Sequence, residues 1–166
     1  EYRINHGFLK IEIQEIQEIA YQSWQENYAG IISQEQIDYM LGLMYSEIEI
    51  KSQFQNENYH YYFIENENEK RIGIMGFEKN AEIDSTKLHR LYLLKSEKGK
   101  GFGKLAIQFL KNWSKENGNS RIILNVNKYN PAKDFYQNLG FTIYDEGVFD
   151  IGNGFVMDDY LMQIQV

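Results

Sequence analysis

Apolar residues recur along the chain at two spacings, and the change from one spacing to the other separates predicted helices from predicted strands. Over residues 13–28 they recur every three or four positions, which predicts an amphipathic helix. Serine followed three residues later by Gln or Glu, at 33–36 and 46–49, is typical of a capping box at a helix start. These two starts predict a second helix that ends at Met44 and a third that ends near Gln55.

The middle of the chain has the residue pattern of strands. Residues 59–64 and 71–77 flank a polar turn and are predicted to form a hairpin, and residues 86–94 are predicted to form a further strand. Near the start of the chain, two short segments, 2–4 and 8–13, compete for the role of a first strand. The sequence alone leaves that choice open.

The last third of the chain alternates between the two kinds of element. Gly118 marks a helix end and the pair Asn130-Pro131 a helix start, because glycine adopts the left-handed conformation easily and proline suits the first helical position. The predicted elements are two helices, 102–117 and 130–140, and three strands, 122–126, 141–149 and 155–164. The whole succession predicts one α/β (α+β) domain over residues 1–166, with a mixed sheet and helices on both faces.

Charge is distributed unevenly along the chain, and this changes the functional expectation. The net charge is −7, yet residues 87–104 carry six basic side chains and one acidic side chain, a local charge of +5. Residues 1–86 carry a net charge of −10. An acidic chain with one short basic segment lacks the broad basic face of a nucleic-acid-binding protein. The pattern predicts one local anion site, although a solvated run of lysines would give the same charge.

The composition excludes several other classes of protein. The chain has no cysteine, which excludes disulfides, thiolate nucleophiles and cysteine-bound metals. Its three histidines are too far apart to pair as metal ligands on one helix, so no metal site is predicted. No apolar run approaches the roughly 18 residues of a membrane span, and the first residues lack the apolar core of a signal peptide. We therefore expect a cytoplasmic protein without membrane or nucleic-acid partners; its first residue, Glu1, is consistent with a trimmed chain.

A segment rich in glycine and lysine lies between the strand 86–94 and the helix 102–117. A helix start leaves backbone N–H groups unpaired and favours anions, and glycines allow a phosphate group to approach the backbone. Two familiar phosphate-binding motifs do not fit, because Lys98 stands where the P-loop needs its first glycine and Lys104 where the dinucleotide fingerprint needs its last. The segment consists of Lys98, Gly99, Lys100, Gly101, Phe102, Gly103 and Lys104.

The same segment resembles the pyrophosphate loop [QR]-x-x-G-x-[GA] of the GNAT superfamily of N-acetyltransferases. Lys98 replaces the usual Gln or Arg, and Gly101 and Gly103 occupy the two small positions. Residues 91–94 resemble the superfamily's strand before this loop, and a later stretch is similar to its pattern N-x-x-A-x-x-F-Y-x-x-x-G-F. That stretch matches at Asn130, Phe135, Tyr136, Gly140 and Phe141, whereas Ala132 lies one place early.

The resemblance implies a GNAT fold, with a mixed, mostly antiparallel sheet of six or seven strands. It implies acetyl-coenzyme A (acetyl-CoA) as co-substrate and direct attack by a primary amine in a ternary complex. Tyr136 is expected to act as the catalytic residue that protonates the leaving thiolate, unless it is only a core tyrosine, and the backbone near Leu93 is expected to stabilise the oxyanion. The residues expected to contact the co-substrate are Leu91, Tyr92, Leu93, all seven residues of 98–104, and Asn130.

The resemblance does not identify a general base. Some superfamily members carry a Glu on the strand before the loop, but residues 86–90 contain no carboxylate. His89 has a suitable ordinary pKa of about 6.5, and Glu78 and Asp158 are further candidates. Loss of the proton to water is the remaining alternative.

The acceptor is constrained by weaker features of the sequence. Residues 39–46, 91–93 and 151–162 are similar to the PaiA-like, polyamine-acetylating branch of the superfamily. The acidic front of the chain would attract a polycation, although an ordinary solvated surface has the same charge. The sequence leaves open a protein N-terminus or an aminoglycoside as acceptor, a non-catalytic coenzyme A sensor, and the formation of a homodimer.

Overall fold

The predicted elements are all present in the computed structural model, which describes the backbone of residues 2–3 and 10–166 and the side chains from residue 12 onward. The helices are α1 (Lys10–Tyr28), α2 (Gln34–Met44), α3 (Glu47–Gln55), α4 (Phe102–Glu116) and α5 (Ala132–Asn138). The strands are β1 (Tyr2–Arg3), β2 (Tyr59–Glu65), β3 (Arg71–Glu82), β4 (Ser85–Leu93), β5 (Arg121–Asn127), β6 (Thr142–Gly152) and β7 (Phe155–Gln165). A single 3₁₀ turn, Lys95–Glu97, follows β4.

The differences from the sequence prediction lie at the ends of elements. The first strand is confirmed at residues 2–3, while Ile4 lies outside the described residues. The competing strand over 8–13 is wrong from Lys10 onward, because that residue begins α1; residues 8 and 9 also lie outside the described part. The third strand, β3, continues to Glu82 rather than ending at Phe77.

Side-chain caps explain why three of the helices begin where they do. Ser33 Oγ accepts the N–H of Gln36 at 3.1 Å, and Ser46 Oγ accepts the amide three residues further on at 3.2 Å. Asn130 Oδ1 accepts the N–H of Ala132 at 2.9 Å, directly before α5. Each bond satisfies one of the N–H groups that a helix start leaves unpaired. The helix starts predicted at these residues are confirmed.

The strands form one mixed sheet in the order β1-β2-β3-β4-β5-β7-β6. Every neighbouring pair is antiparallel except β4 and β5, which are parallel. The expected mixed, mostly antiparallel sheet is therefore confirmed. A parallel pair needs a crossover connection, and α4 supplies it, so the glycine-rich segment lies at the start of the crossover helix.

Each face of the sheet carries its own hydrophobic core and its own helices. The core under α1, α2 and α3 includes Ile16, Trp24, Ile37, Ile50, Phe63 and Ile74. The core under α4 and α5 includes Phe77, Leu88, Leu110, Ile122, Tyr136 and Met162. We call these the front face and the back face, and together they confirm helices on both sides of the sheet. No helix in the described part of the chain combines the length and the apolar character needed to cross a membrane.

A β-bulge in β4 changes which side chains face the front. Leu88 pairs with Phe77 and Arg90 pairs with Gly76, so His89 is an extra residue with no counterpart on β3. Before the bulge, Leu88 points into the back core; after it, Arg90 and Tyr92 point to the front. A bulge bends its strand and increases the local twist.

The bent strand separates from its parallel neighbour. Pairing between β4 and β5 covers only Ser85–Lys87 with residues 121–123, although both strands continue for several residues beyond. Past this point the sheet is open between residues 88–93 of β4 and 124–126 of β5. The opening lies directly before the 3₁₀ turn and the start of α4.

Arg90 is almost fully buried, at 5% exposure, and it joins β4 to the end of α2. Its Nη2 donates to the carbonyl oxygen of Met44, the last residue of α2, at 2.9 Å. Its Nη1 donates to Gln53 Oε1 at 2.9 Å and to the Tyr61 hydroxyl, and the guanidinium lies 4.1 Å from the centre of the Tyr45 ring. A cation at a helix C-terminus is stabilised by the helix dipole.

We expect Arg90→Ala to lower the free energy of unfolding by about 3 kcal/mol, because it leaves buried acceptors unpaired and opens a cavity. Urea unfolding followed by circular dichroism measures the change. Arg90→Lys should lower the free energy of unfolding by less than Arg90→Ala does, since the ammonium group keeps the charge but cannot bridge the same three acceptors. A loss below about 1 kcal/mol for the alanine variant would contradict a supporting role for this network.

Candidate active site

The opening between β4 and β5 is the mouth of a cleft of about 540 Å³. This volume is within the range of small-molecule sites. The residues predicted from the sequence that line it are Leu91, Tyr92, Leu93, Lys98, Gly99, Gly101, Phe102, Gly103, Lys104, Asn130 and Tyr136. Lys100 is not part of the lining. Residues from two distant motifs therefore meet in one cavity.

Glycine is required at positions 101 and 103 of the loop for two different structural reasons. Gly101 precedes α4 with φ +88°, a left-handed conformation that favours glycine, so the first backbone N–H groups of α4 are directed to the loop side. Gly103 lies against Phe135 of α5, where an added Cβ would be 2.9 Å from the ring. The first glycine thus sets the backbone turn, and the second lets α4 approach α5.

The lysines of the loop differ in their surroundings. Lys98 Nζ donates to Asn27 Oδ1 of α1, and burial lowers the pKa of Lys98 from its usual value. Lys100 Nζ lies 3.1 Å from Glu97 Oε2 and forms an exposed ion pair. Lys104 is exposed on the first turn of α4. Lys98 and Lys104 therefore bring positive charge to the cleft, whereas Lys100 lies at its outer side.

The backbone of β4 presents polar groups to the cleft. Leu94 N–H donates to the Ile72 carbonyl on β3 at 2.9 Å. Because successive residues of an antiparallel strand direct their backbone groups to opposite edges, those of Leu93 and Leu91 face away from β3. They face β5, from which β4 has separated. The cleft wall can therefore pair with an extended ligand as a neighbouring strand would.

Tyr136 extends from α5 towards the same cleft. Its side chain is 8% exposed and packs against Phe135 and Phe141, with ring centres 5.2 and 5.4 Å away. Burial raises the pKa of Tyr136 above its ordinary value of about 10, and nearby Tyr92 adds to the effect. The hydroxyl therefore stays protonated at neutral pH and is able to donate its proton.

The end of α1 forms a wall of the cleft that the sequence analysis did not identify. Trp24 and Tyr28 stack with ring centres 4.5 Å apart, and both line the cavity together with Asn27. Asn130 Nδ2 donates to the Tyr28 hydroxyl at 3.3 Å, so Asn130 joins α1 to α5 while it caps the latter. The sequence signal that could have identified this wall is a pair of aromatic residues, four positions apart, at the end of a predicted helix.

A further missed residue is Asn125, a polar interruption of the apolar run in β5. It is exposed and lines the cavity, whereas Leu124 and Val126 on either side are buried. An apolar run of this length is typical of a strand that is buried on both faces, but β5 is not buried on both faces at this position. β5 faces the front with its odd-numbered residues, since Ile122, Leu124 and Val126 belong to the back core.

The candidate bases differ in their positions. His89 lines the cleft, and its Nε2 lies 3.0 Å from Glu78 Oε1. Burial lowers the pKa of His89 below 6.5, and the hydrogen bond to Glu78 opposes this effect. Asp158 lies outside the lining, in an ion pair with Lys128 at 3.1 Å. His89 is thus the only one of the three in the cavity lining, and its ring is already paired with Glu78.

The β6–β7 hairpin is held by α2. The Tyr39 hydroxyl donates to the Ile151 carbonyl at 2.9 Å, and its ring lies 5.4 Å from that of Phe155. Gln36 Nε2 donates to the Val156 carbonyl at 2.8 Å. Two sequence segments that suggested the polyamine-acetylating branch, 39–46 and 151–162, are therefore in contact.

Several solved structures have this fold. PaiA N-acetyltransferase from Thermoplasma acidophilum, in complex with coenzyme A, is 24% identical over 95% of this chain and 96% of that chain, with a TM-score of 0.78. A GCN5-related N-acetyltransferase from Rhodopseudomonas palustris is 14% identical over 96% and 92%, with a TM-score of 0.79. A chimera of spermidine N-acetyltransferase SpeG from Vibrio cholerae and hSSAT is 20% identical over 95% and 92%, with a TM-score of 0.68.

Sequence comparison identifies the family. No protein of curated function has significant sequence similarity to the chain. Residues 13–141, more than half of the chain, match the model of the acetyltransferase (GNAT) family. This span includes α1 from residue 13 onward, β4, the loop, β5 and Tyr136, all of which contribute to the lining of the cleft. The chain therefore belongs to the GNAT family of acetyltransferases and is an acyltransferase.

Proposed function

We propose that the chain transfers the acetyl group of acetyl-CoA to a primary amine by direct attack in a ternary complex, and that a polyamine is the acceptor. The observation that carries the proposal is the convergence of the loop, the open edge of β4 and Tyr136 on one cleft. The absence of cysteine excludes a thiol nucleophile, in agreement with direct attack.

The residues of the cleft fit acetyl-CoA in three respects. The start of α4 offers backbone N–H groups and the charges of Lys98 and Lys104, which suit a pyrophosphate. The open edge of β4 offers the backbone groups of Leu91 and Leu93, which suit the amides of a pantetheine arm. Trp24 Nε1 is buried without a hydrogen-bond partner among the described residues, and it adds a donor to the opposite wall.

The proposed chemistry uses two groups of the chain at the reacting atoms. The backbone N–H of Leu93 would stabilise the oxyanion that forms when the amine attacks the thioester carbonyl. Tyr136 would donate its proton to the departing thiolate, which lowers the barrier to breaking the carbon–sulfur bond. Both groups lie on elements packed in the back core and therefore move little.

The preference for a polyamine is supported by charge and by similarity. The net charge of −10 over residues 1–86 attracts a polycation. Similar structures include proteins described as PaiA N-acetyltransferase and spermidine N-acetyltransferase. The contact between α2 and the β6–β7 hairpin adds support, because both segments are similar to the polyamine-acetylating branch.

The proposal is tested by measuring release of the coenzyme A thiol with a panel of amines. The panel contains spermidine, spermine, an aminoglycoside and peptides with free amino termini, each with and without the purified chain. We expect release that depends on both the chain and the amine, and that is fastest with a polyamine.

The other outcomes identify the alternatives. Faster release with the aminoglycoside or with a peptide would replace the polyamine by that acceptor. Tight binding of acetyl-CoA in calorimetry, without amine-dependent release from any member of the panel, would overturn the proposed transfer and favour a coenzyme A sensor.

A further inference from the structure

A buried carboxylate that has no ion-pair partner in the described part of the chain lies on the front face beside the cleft. Asp159 is 7% exposed, and its Oδ1 has no hydrogen-bond partner among the described residues. It belongs to β7, whose even-numbered residues Tyr160 and Met162 pack at the back core, whereas Met157 packs in the front core. Asp159 therefore faces the front, and the adjacent Asp158 faces the back.

Polar residues surround Asp159 on the front face, and one of them, Asn125, is exposed. The helices α1 and α3 cover this face over β2, β3 and β4, while β5 and β7 carry an exposed Asn125 and a half-buried Leu161. Asn125 and Leu161 pair directly across the two strands. Asn127 and Asp159 form the next pair on the same face, two residues further along β5. Asn125 also lines the cleft, so the cleft borders this strip of the sheet, and Asp159 lies next to Asn125, just outside the lining.

The groups that face Asp159 leave its charge largely uncompensated. Asn125 on β5 interacts with its carboxylate and favours the charged form, the charge of the adjacent Asp158 disfavours that form, and Lys87 on β4 favours it more weakly. Tyr28 on α1 is close enough to be influenced by its charge, and Asp145 on β6 pairs with Leu161 on the same face. Burial outweighs these effects and raises the pKa of Asp159 to about 6.

A buried, charged carboxylate raises the free energy of the folded state unless a cation pairs with it or a proton neutralises it. The described side chains provide no ion pair to it, whereas the proposed acceptor carries an ammonium group. A primary ammonium has three N–H donors, and the Asp159 carboxylate and the Asn125 amide oxygen are both acceptors for such donors. The chemistry of this strip therefore matches the acceptor and not the anionic co-substrate.

We propose, on the basis of the proposed acetyl transfer, that Asp159 binds the ammonium group of the acceptor and takes its proton before attack. The ammonium gives one proton to the carboxylate, which yields a neutral amine and a carboxylic acid. The amine nitrogen then forms a bond to the thioester carbon as the carbon–sulfur bond breaks. Tyr136 gives its proton to the departing thiolate, and the amide nitrogen loses its second proton, which restores the Tyr136 hydroxyl by way of solvent. The proton on Asp159 leaves to solvent as the one proton that the whole reaction releases.

Asp159→Asn tests the proposal because it removes the charge with little change in shape. With spermidine as the probe, or with the best amine of the panel if spermidine is slower, we expect kcat/KM to fall by about 10². The parent rate should rise with pH through about 6 as the carboxylate ionises, and this acid limb should disappear in the variant. Calorimetry should show weaker binding of spermidine and unchanged binding of acetyl-CoA.

Asp158→Asn is the matched control on the opposite face of the same strand. It breaks the ion pair with Lys128 and removes a charge that raises the pKa of Asp159, so the acid limb should move to lower pH, while kcat/KM on the plateau above the limb should stay within about twofold of the parent. Thermal unfolding separates a site residue from a structural one. Because the charged form of Asp159 is disfavoured in the fold at pH 7, Asp159→Asn should raise the unfolding temperature by about 2–4 °C, and this gain should vanish below pH 4.

Two results would overturn the assignment. One is an Asp159→Asn variant with kcat/KM within threefold of the parent and an unchanged acid limb. The other is a pair of findings: the Asp159→Asn variant unfolds more easily than the parent, and the Asp159→Glu variant has no acid limb. Glutamate keeps an ionisable carboxyl group, so the proposal requires that the acid limb remains in the glutamate variant. Failure of the parent chain to acetylate any amine would instead contradict the proposed function itself.

Discussion

Tyr136→Phe is expected to lower the turnover number by about 10²–10⁴ and to leave the affinity for acetyl-CoA nearly unchanged. The change removes one hydroxyl from a side chain that packs between Phe135 and Phe141, so the ring contacts remain. The thiolate must then leave without a proton, which raises the barrier of the chemical step but does not alter binding. Stopped-flow measurement of thiol release gives the rate, and calorimetry gives the affinity.

An exposed tyrosine provides the control for this variant. Tyr129 is 72% exposed and lies just before α5, outside the cavity lining, so Tyr129→Phe should retain the parent rate. Circular dichroism confirms that both variants are folded. Turnover of Tyr136→Phe within about threefold of the parent would show that the hydroxyl does not donate the proton, and solvent would then be its source.

Gly101→Val is expected to raise the Kd for acetyl-CoA by at least about 10². No atom would contact an added Cβ at this position, so the cost is conformational: valine disfavours the left-handed backbone at φ +88°. Relaxation of that strain moves the first N–H groups of α4 away from the anion, and each charged hydrogen bond lost costs about 1.5–3 kcal/mol. Two such contacts correspond to more than a hundredfold in affinity.

Gly118 offers a closely matched control at the other end of the same helix. It also has positive φ, +82°, and open space around its Cβ, so Gly118→Val introduces similar strain away from the cleft. Both variants should lose similar stability in urea unfolding, but only Gly101→Val should lose binding. Equal affinities in the two folded variants would contradict the assignment of residues 98–104 to the pyrophosphate.

Local patterns were sufficient to predict the elements. The caps at Ser33, Ser46 and Asn130 and the left-handed Gly118 depend on neighbours in sequence, and all four lie where they were expected. The resemblance of the two motifs to the superfamily led to the expectation that the loop and Tyr136 share one site, and both do line the cleft. Such features are local because hydrogen bonds within one turn, or one residue's φ, decide them.

Features that depend on strand register were not predictable from the sequence. The bulge at His89 exists because β3 and β4 differ by one residue in their pairing, and no residue type marks it. The cleft, the front position of Arg90 and the choice between Asp158 and Asp159 all depend on such registers. A one-residue change of register moves every side chain to the other face, and the sequence analysis accordingly named Asp158 as a candidate base and did not name Asp159, the one that faces the front.

The wall contributed by α1 was missed for a different reason. The motifs cover the second half of the chain, while Trp24 and Tyr28 are more than sixty residues before the loop. Their helical spacing is explained equally well by packing, and both do belong to the front core. The hydrogen bonds that connect this helix to the site, from Asn130 to Tyr28 and from Lys98 to Asn27, join residues that are 102 and 71 positions apart in the sequence.

Acetylation of an amine in this cleft is tested most directly by following a labelled acetyl group. Acetyl-CoA labelled in the acetyl carbonyl is mixed with spermidine and with the parent chain or Tyr136→Phe, and the products are separated and identified by mass spectrometry. We expect the label to appear on a spermidine nitrogen in equal amount to the thiol released, and much more slowly with the variant. Label that stays on coenzyme A, or that appears only as acetate, would contradict transfer to the amine.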